Sequence, residues 1–309
     1  SCFEFYIFNF QFISMKILIT GANGLLGQEL VSLLLETTDH DIIATGKGED
    51  RSSLTGSRFM YRDLDLTDGP AVHAFLDEVR PGCIVHTAAM TQVDHCETHP
   101  VACWDINVTA TRFLLDAAKA FRPYLVFVST DFVFSGDSGP YAETDEPAPV
   151  NYYGSSKLKA EQAVWESGLD AAIARTCLVY GSQKGHRSTL INWVKHSLES
   201  GKAIKVVNDQ WRTPTSVNDL ARGIALMIGK RAKGLYHIAG AEMLTPYEMA
   251  IATAKRFGLD ENLLSATDAG GLKETARRPP RTGLIIDKAR HELGYHPASF
   301  AQALRSISV

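Results

Sequence analysis

Tyr153 and Lys157 stand four residues apart in YGSSK, a spacing that on a helix puts both side chains on one face. A phenol beside an ammonium is equipped for proton transfer, although YxxxK by itself occurs in many helices that do none. Thr130 lies upstream of the pair, at the end of the apolar run YLVFVST. In a chain whose strands alternate with helices, the carboxyl end of a strand is where a ligand arrives, so this hydroxyl is placed to meet a substrate carbonyl; its plainer role is to cap the next turn. The three residues together form a candidate acid–base site.

A second constellation lies near the start, in KILITGANGLLGQEL. Gly21, Gly24 and Gly27 fall between the first strand and the first helix, with Asn23, Leu25 and Leu26 between them. The pyrophosphate of a dinucleotide needs close backbone approach and free N–H groups at a helix N-terminus, and the pattern is one residue off the GxGxxG fingerprint. The second strand ends in ATGKGEDR, where Lys47 stands in place of the carboxylate that would bind a ribose 2′-hydroxyl. Lys47 or Arg51 meeting a 2′-phosphate favours NADPH over NADH, with Glu49 and Asp50 close by. Asp65 and Leu66 in DLDLTD are placed either to flank an adenine or to cap a helix behind a core leucine. With a nicotinamide in the site, the chemistry of Tyr153 follows. A free tyrosine loses its proton near pH 10, and bringing that to about 7 takes roughly 4 kcal/mol, which an ammonium and a cationic nicotinamide can supply.

The elements that must hold these residues are legible as an alternation. KILIT, HDIIATG, GCIVHTA, PYLVFVST and AAIARTCLVYG read as strands, separated by helices near 24–36, 69–79, 105–121 and 153–167. Strands alternating with helices mean βαβ units, so the fold class is α/β, a doubly wound parallel Rossmann-type sheet. After Gly181 the pattern loosens. GSQKGHRST reads as loop, followed by a helix near 188–200, a strand in AIKVVN and a helix near 216–229. Thr245, Pro246, Glu248 and Gly258 punctuate a further helix as N-cap, first position, capping box and stop. TDAGGLKETARRPPRTG reads as loop, with short helices after Asp287 and after Ser299. The expected division is a dinucleotide-binding domain over 15–176 plus about 213–238, and a smaller carboxyl-terminal substrate lobe over 177–212 and 239–309.

Composition bounds the rest. With 45% hydrophobic and 21% charged residues and a formal net charge of -4, nothing points to nucleic acid or a membrane as partner. Five cysteines without a C-x-x-C pair fit reduced thiols and a cytoplasmic setting, and no metal site is expected. The first fourteen residues, SCFEFYIFNFQFIS, lack a basic n-region and make a poor signal peptide. They read as a non-native extension before Met15, or, from phenylalanines spaced by two, as an added edge strand.

Taken in order, these segments resemble the extended short-chain dehydrogenase/reductases and, among them, the dTDP-4-dehydrorhamnose reductase family. The resemblance runs from Met15 to the end through GANGLLG, HTAAMTQVDHCE with Asn107 after it, STDFVFSG, YYGSSKLKAE, RTCLVYG, DQWRTPT and ARRPPRTGLIID. It implies Thr130 and Tyr153 at the substrate carbonyl and Lys157 on the nicotinamide ribose. It further implies Ala88, Ala89, Met90 and Asn107 beside the cofactor, and Val93, Asp131 and Phe132 bordering the sugar. Two departures stand out: Leu178 where the reductases usually carry the tryptophan of R-T-S-W, and Arg212 where their D-Q-x-G-x-P-T has glycine. The implied activity is NADPH- or NADH-dependent reduction of the 4-keto group of a nucleotide-linked 6-deoxyhexose, as in dTDP-rhamnose synthesis. Arg278 is expected to pair with the diphosphate, and a homodimer is expected through the helices near 105–121 and 153–167. The alternatives are an epimerase or dehydratase of the same superfamily, and a non-catalytic nucleotide-binding regulatory subunit resembling that of methionine adenosyltransferase.

Overall fold

Short runs rich in Ile and Val become strands because branched side chains pack well on a pleated surface, and here they are buried on both faces. In this computed structural model residues 14–181, 189–271 and 274–307 are described. Residues 1–13 of the expected extension over 1–14, most of the GSQKGHRST loop (182–188) and Leu272 and Lys273 lie outside the described residues.

The first half contains β1 (Lys16–Thr20), α1 (Leu25–Thr37), β2 (Asp41–Gly46), β3 (Phe59–Asp63), α2 (Gly69–Val79) and β4 (Cys83–His86). It continues with α3 (Val93–Thr98), α4 (Pro100–Trp104), α5 (Ala110–Ala118), β5 (Tyr124–Thr130), α6 (Tyr152–Glu166) and β6 (Ala171–Thr176). The second half contains β7 (Val179–Tyr180), α7 (Leu190–Glu199), β8 (Ile204–Val207), β9 (Thr215–Ser216), α8 (Val217–Lys230) and β10 (Gly234–His237). It ends with α9 (Pro246–Phe257), β11 (Leu264–Thr267) and α10 (Phe300–Ser306).

Seven strands form one parallel sheet in the order β3-β2-β1-β4-β5-β6-β10. The period of two along β1 decides which core each residue joins. Ile17 and Ile19 pack with Leu30 and Leu34 of α1 and Ile224 and Met227 of α8. Leu18 faces the other way, with Leu76 of α2, Leu114 of α5 and Val164 of α6. Each such aliphatic side chain removed from water contributes about 1.5–3 kcal/mol, and helices on both faces are what make an all-parallel sheet stable. The strand order reverses between β1 and β4, which opens a crevice at their carboxyl ends.

Helix boundaries follow the sequence signals closely where the period is strong. Thr245 accepts from the Glu248 N–H, Glu248 reaches back to the Thr245 N–H, and Gly258 ends α9 at φ 64. The expected single helix over 105–121 is corrected. Pro100, at the first position of α4, starts a new helix after α3; residues 105–109 form a π-type turn; and α5 ends at Ala118. Beyond the main sheet, β8 pairs in parallel with β11, and α7 and α9 cover them through Val194, Leu198, Ile204, Ala250 and Leu264. Among the described residues no helix is long and apolar enough to cross a membrane.

Candidate active site

A cleft of about 1170 Å³ lies against the carboxyl ends of the central strands. Its walls include Gly21, Asn23, Gly24, Leu25, Leu26, Gly27, Lys47, Asp65 and Leu66, together with Ala88, Ala89, Val93, Thr130, Asp131, Phe132, Tyr153, Lys157 and Arg278. Fold topology thus brings residues from the two sequence constellations to one space. Met90 and Asn107 are not in these walls.

The turn from β1 into α1 is built by packing as much as by any ligand. Gly21 sits at φ 69, where a Cβ would come within 2.7 Å of the Ala88 backbone, and a Cβ on Gly27 would lie 2.5 Å from the Gly21 carbonyl oxygen. The chain's own close approach therefore demands glycine at both positions. Gly24 is the N-cap of α1 and supplies no side-chain cap, and no acidic residue occupies the first turn. The leading N–H groups of α1 are left for an anion, so the residues present fit the pyrophosphate of a dinucleotide.

The neighbouring wall is pinned by Asn23. Its amide donates to the Tyr61 hydroxyl at 2.8 Å and the Glu49 carbonyl at 2.9 Å, and accepts from the Arg51 N–H at 3.0 Å. Lys47 is largely exposed and paired with Asp65 at 2.7 Å, and that bond and the Thr67 hydroxyl hold the Asp65 carboxyl down at about 2. Lys47 does not stand as a free cation for a 2′-phosphate. Arg51, also in the cleft wall, forms no ion pair among the described residues.

Thr130, Tyr153 and Lys157 converge. Asn151 caps α6 by accepting from the Gly154 N–H at 2.8 Å, which sets the helix start and so the direction of Tyr153. The Tyr153 phenol lies beside Thr130, whose hydroxyl donates to Asp131 Oδ1 at 3.1 Å and accepts from the Phe132 N–H at 3.2 Å. One turn along, Lys157 Nζ donates to the Val128 carbonyl at 2.8 Å and lies 4.1 Å from the centroid of Phe127.

Burial governs both ionisations. It pulls the Lys157 ammonium down to about 7, opposed by the negative charge of Glu161 and of Cys103 when ionised. It pushes the Tyr153 phenol up, against the lowering effect of the neighbouring Thr130 hydroxyl. Among the chain's own groups desolvation outweighs every charge near the phenol, and the lowering expected of a cationic nicotinamide would act on top of these. Tyr153 is a protonated phenol at neutral pH, a proton donor rather than a base.

Neighbouring side chains brace this geometry. Asn107 is buried; it accepts from the Met90 N–H at 2.8 Å and donates to the Met90 carbonyl at 3.1 Å and to Ser156 Oγ at 2.9 Å. It ties the segment after β4 to α6 instead of facing the cleft. Met90 packs against the cluster of Cys96, Cys103 and Tyr153. Arg278 is bound to Asp94 at 2.7 Å and to Glu274 at 3.3 Å, so the expected free partner for a diphosphate is a cation already neutralised by two carboxylates.

A model of the RmlD substrate binding domain matches residues 15–308. The chain belongs to that family. Methionine adenosyltransferase 2 subunit beta of Rattus norvegicus is 34% identical over 282 residues, covering 89% of this chain and 81% of the relative. A probable low-salt glycan biosynthesis reductase, Agl14, of Haloferax volcanii is 32% identical over 284 residues, covering 91% and 93%. Among solved structures, dTDP-4-dehydrorhamnose reductase from Bacillus anthracis in complex with NADP superposes with a TM-score of 0.83 at 28% identity, covering 95% of this chain and 98% of that one.

Within the RmlD family, the two departures noted in the sequence both lie in the cleft. Leu178 holds a left-handed backbone at φ 39 and is over a third exposed, presenting a smaller apolar wall than an indole. Arg212 is buried. Its guanidinium donates to the carbonyls of Pro279 at 2.7 Å and Trp211 at 2.9 Å, lies 4.0 Å from Asp131 and stands over the Phe132 ring. The Asp131 carboxylate receives the Cys177 thiol at 3.2 Å and the Thr282 hydroxyl, and burial still pushes its pKa up. Gln210 also lines the cleft and accepts from Arg212 at 3.3 Å. Gln210 was not singled out in the sequence; the signal was the D-Q-W-R-T-P-T match, which flagged Arg212 only as a deviation.

Proposed function

We propose that this chain is an NAD(P)H-dependent reductase that acts on the 4-keto group of a nucleotide-linked 6-deoxyhexose, with the catalytic set Thr130, Tyr153 and Lys157. The observation that carries the reading is that Thr130, Tyr153 and, one helical turn on, Lys157 line the same cleft as the glycine turn. The dinucleotide, when bound, supplies the hydride. Gly24 and the start of α1 would hold its pyrophosphate, and the Asn23-pinned loop bearing Arg51 would meet the adenosine ribose. Arg51, rather than Lys47, is the reason to favour NADPH. Tyr153 gives its proton to the oxygen of the substrate as negative charge develops there, and its protonated state at neutral pH suits that direction. Thr130 fixes the phenol and, once its hydroxyl turns from Asp131, donates to the same oxygen. Lys157 stabilises the tyrosinate left behind. The likeness to a probable glycan biosynthesis reductase and to a dTDP-4-dehydrorhamnose reductase supports a nucleotide-sugar substrate.

One observation favours a second reading, a nucleotide-binding regulatory subunit: 34% identity to methionine adenosyltransferase 2 subunit beta. The intact Thr130, Tyr153 and Lys157 weigh toward catalysis. The test is NADPH oxidation against a panel of nucleotide-linked 4-keto sugars, beside a pull-down of a methionine adenosyltransferase catalytic subunit. Turnover of dTDP-4-dehydrorhamnose is the expected result. Silence across the panel with stoichiometric capture of the synthetase would overturn it.

A further inference from the structure

Lys157 shares α6 with Glu161, one turn further on, and both are buried. Glu161 does not rest there alone: Arg175 of β6 donates to it twice, at 2.9 and 2.7 Å, and the two side chains are only 3–4% exposed. Arg175 is paired in the sheet with Ser129, the residue between Val128, whose carbonyl takes the Lys157 bond, and Thr130. Its guanidinium stacks over the Phe134 ring at 5.0 Å. A buried ion pair of this kind recovers little more than its desolvation cost, and well-packed apolar residues would do as well for stability. Its presence calls for another account.

We propose that the Arg175–Glu161 pair is a positioning element of the site, with Arg175 fixing the Glu161 carboxylate so that Lys157 is held as a cation next to Tyr153. The groups facing Lys157 are few. Cys103 approaches from α4, His86 from β4 is kept neutral by burial, and Tyr153 and Glu161 come from its own helix. Glu161 is the foremost of those that favour the charged amine, with the Cys103 thiol second. Arg175 reaches the carboxylate from β6, so the pair is neutral overall, and its negative member is the one carried on the lysine's own helix. The inference rests on the reading of Lys157 given above and adds what keeps it charged.

The test is a pH titration of the Lys157 Cε resonance in protein carrying isotope-labelled lysine, without cofactor or substrate, the peak being assigned by its loss in Lys157→Arg. The wild-type midpoint is expected near 7. In Glu161→Gln it falls by about one unit or more, because the variant leaves Arg175 an uncompensated cation. In Glu161→Gln with Arg175→Met it falls by less. Turnover of Glu161→Gln at pH 7.5 drops about eightfold, the change in charged fraction for a midpoint moving from about 7 to about 6, and the basic limb of the kcat/KM profile moves down with it. A folded Glu161→Gln protein with an unmoved midpoint overturns the proposal. Should that variant fail to unfold cooperatively, the double variant decides in the same way, since an unchanged lysine midpoint there is equally fatal. Because the titration needs no substrate, a shifted midpoint in a protein that turns over no nucleotide sugar sinks the reductase reading alone.

Discussion

A phenol that burial keeps protonated and an amine that burial brings near neutrality have opposite consequences for the folded protein. Tyr153→Phe removes the proton donor while keeping the ring that packs against Phe132. Its kcat is expected to fall by about 10²–10⁴, with NADPH affinity, read by fluorescence titration, within about threefold of wild type. Lys157→Met is expected to abolish turnover and yet raise Tm. The folded midpoint of Lys157, about 7, lies below the ordinary 10.5, so between those values the unfolded chain binds a proton that the folded chain has released, and stability from this group rises with pH. The cost of burying the ammonium is therefore full below pH 7 and fades toward pH 10.5. Scanning calorimetry of Lys157→Met should show a Tm a few degrees above wild type at pH 6.5 and a narrowing gap by pH 9. A Tm below wild type at pH 6.5 would mean that the bonds of Lys157 to Val128 and Phe127 outweigh its desolvation.

The site is held by where elements begin and end, and those ends are short-range features. Gly27→Ala drives a Cβ into the Gly21 carbonyl and the Ala22 backbone, neither of which can move without shifting β1. The expected result is a loss of about 2–3 kcal/mol in stability and at least tenfold in dinucleotide affinity by calorimetric titration, because α1 must back away from the turn. An unchanged affinity would detach the helix start from cofactor binding. The same locality explains what could be read in advance. The glycine turn, the capping box of α9 and the strands β1, β2, β4, β5 and β6 each announce themselves within a few residues, so their positions and the RmlD family were legible in the sequence, whereas the short edge strands β3 and β10 were not. The α3–α4 break was not, since TQVDHCETHPVACW carries no clear apolar period and only Pro100 marks the restart. Nor were the partners of Lys47, Arg278 and Asn107 foreseeable. Asp94 is 184 residues from Arg278, and a charge that distant in sequence is paired only by the completed fold.

At the scale of the molecule, one buried guanidinium helps to hold the carboxyl-terminal segment against the strand ends. Arg212 satisfies the carbonyls of Pro279, Trp211 and Pro280, and the turn it holds delivers Thr282 to Asp131, beside Thr130. A glycine at this position could do none of this, and the arginine side chain acts as an internal clamp. Arg212→Gly is expected to cost about 3–5 kcal/mol, since it takes the side-chain donor from the Pro279 carbonyl and leaves Asp131 without a counter-charge, and to lower Tm by several degrees. Arg212→Lys keeps the charge but not the planar fork that serves several carbonyls at once, and should recover less than half of that loss. Circular-dichroism melts of the three proteins separate this clamp from a substrate-reading role. If Arg212→Gly melts like wild type while KM for a nucleotide sugar rises tenfold, the guanidinium belongs to the ligand and not to the fold.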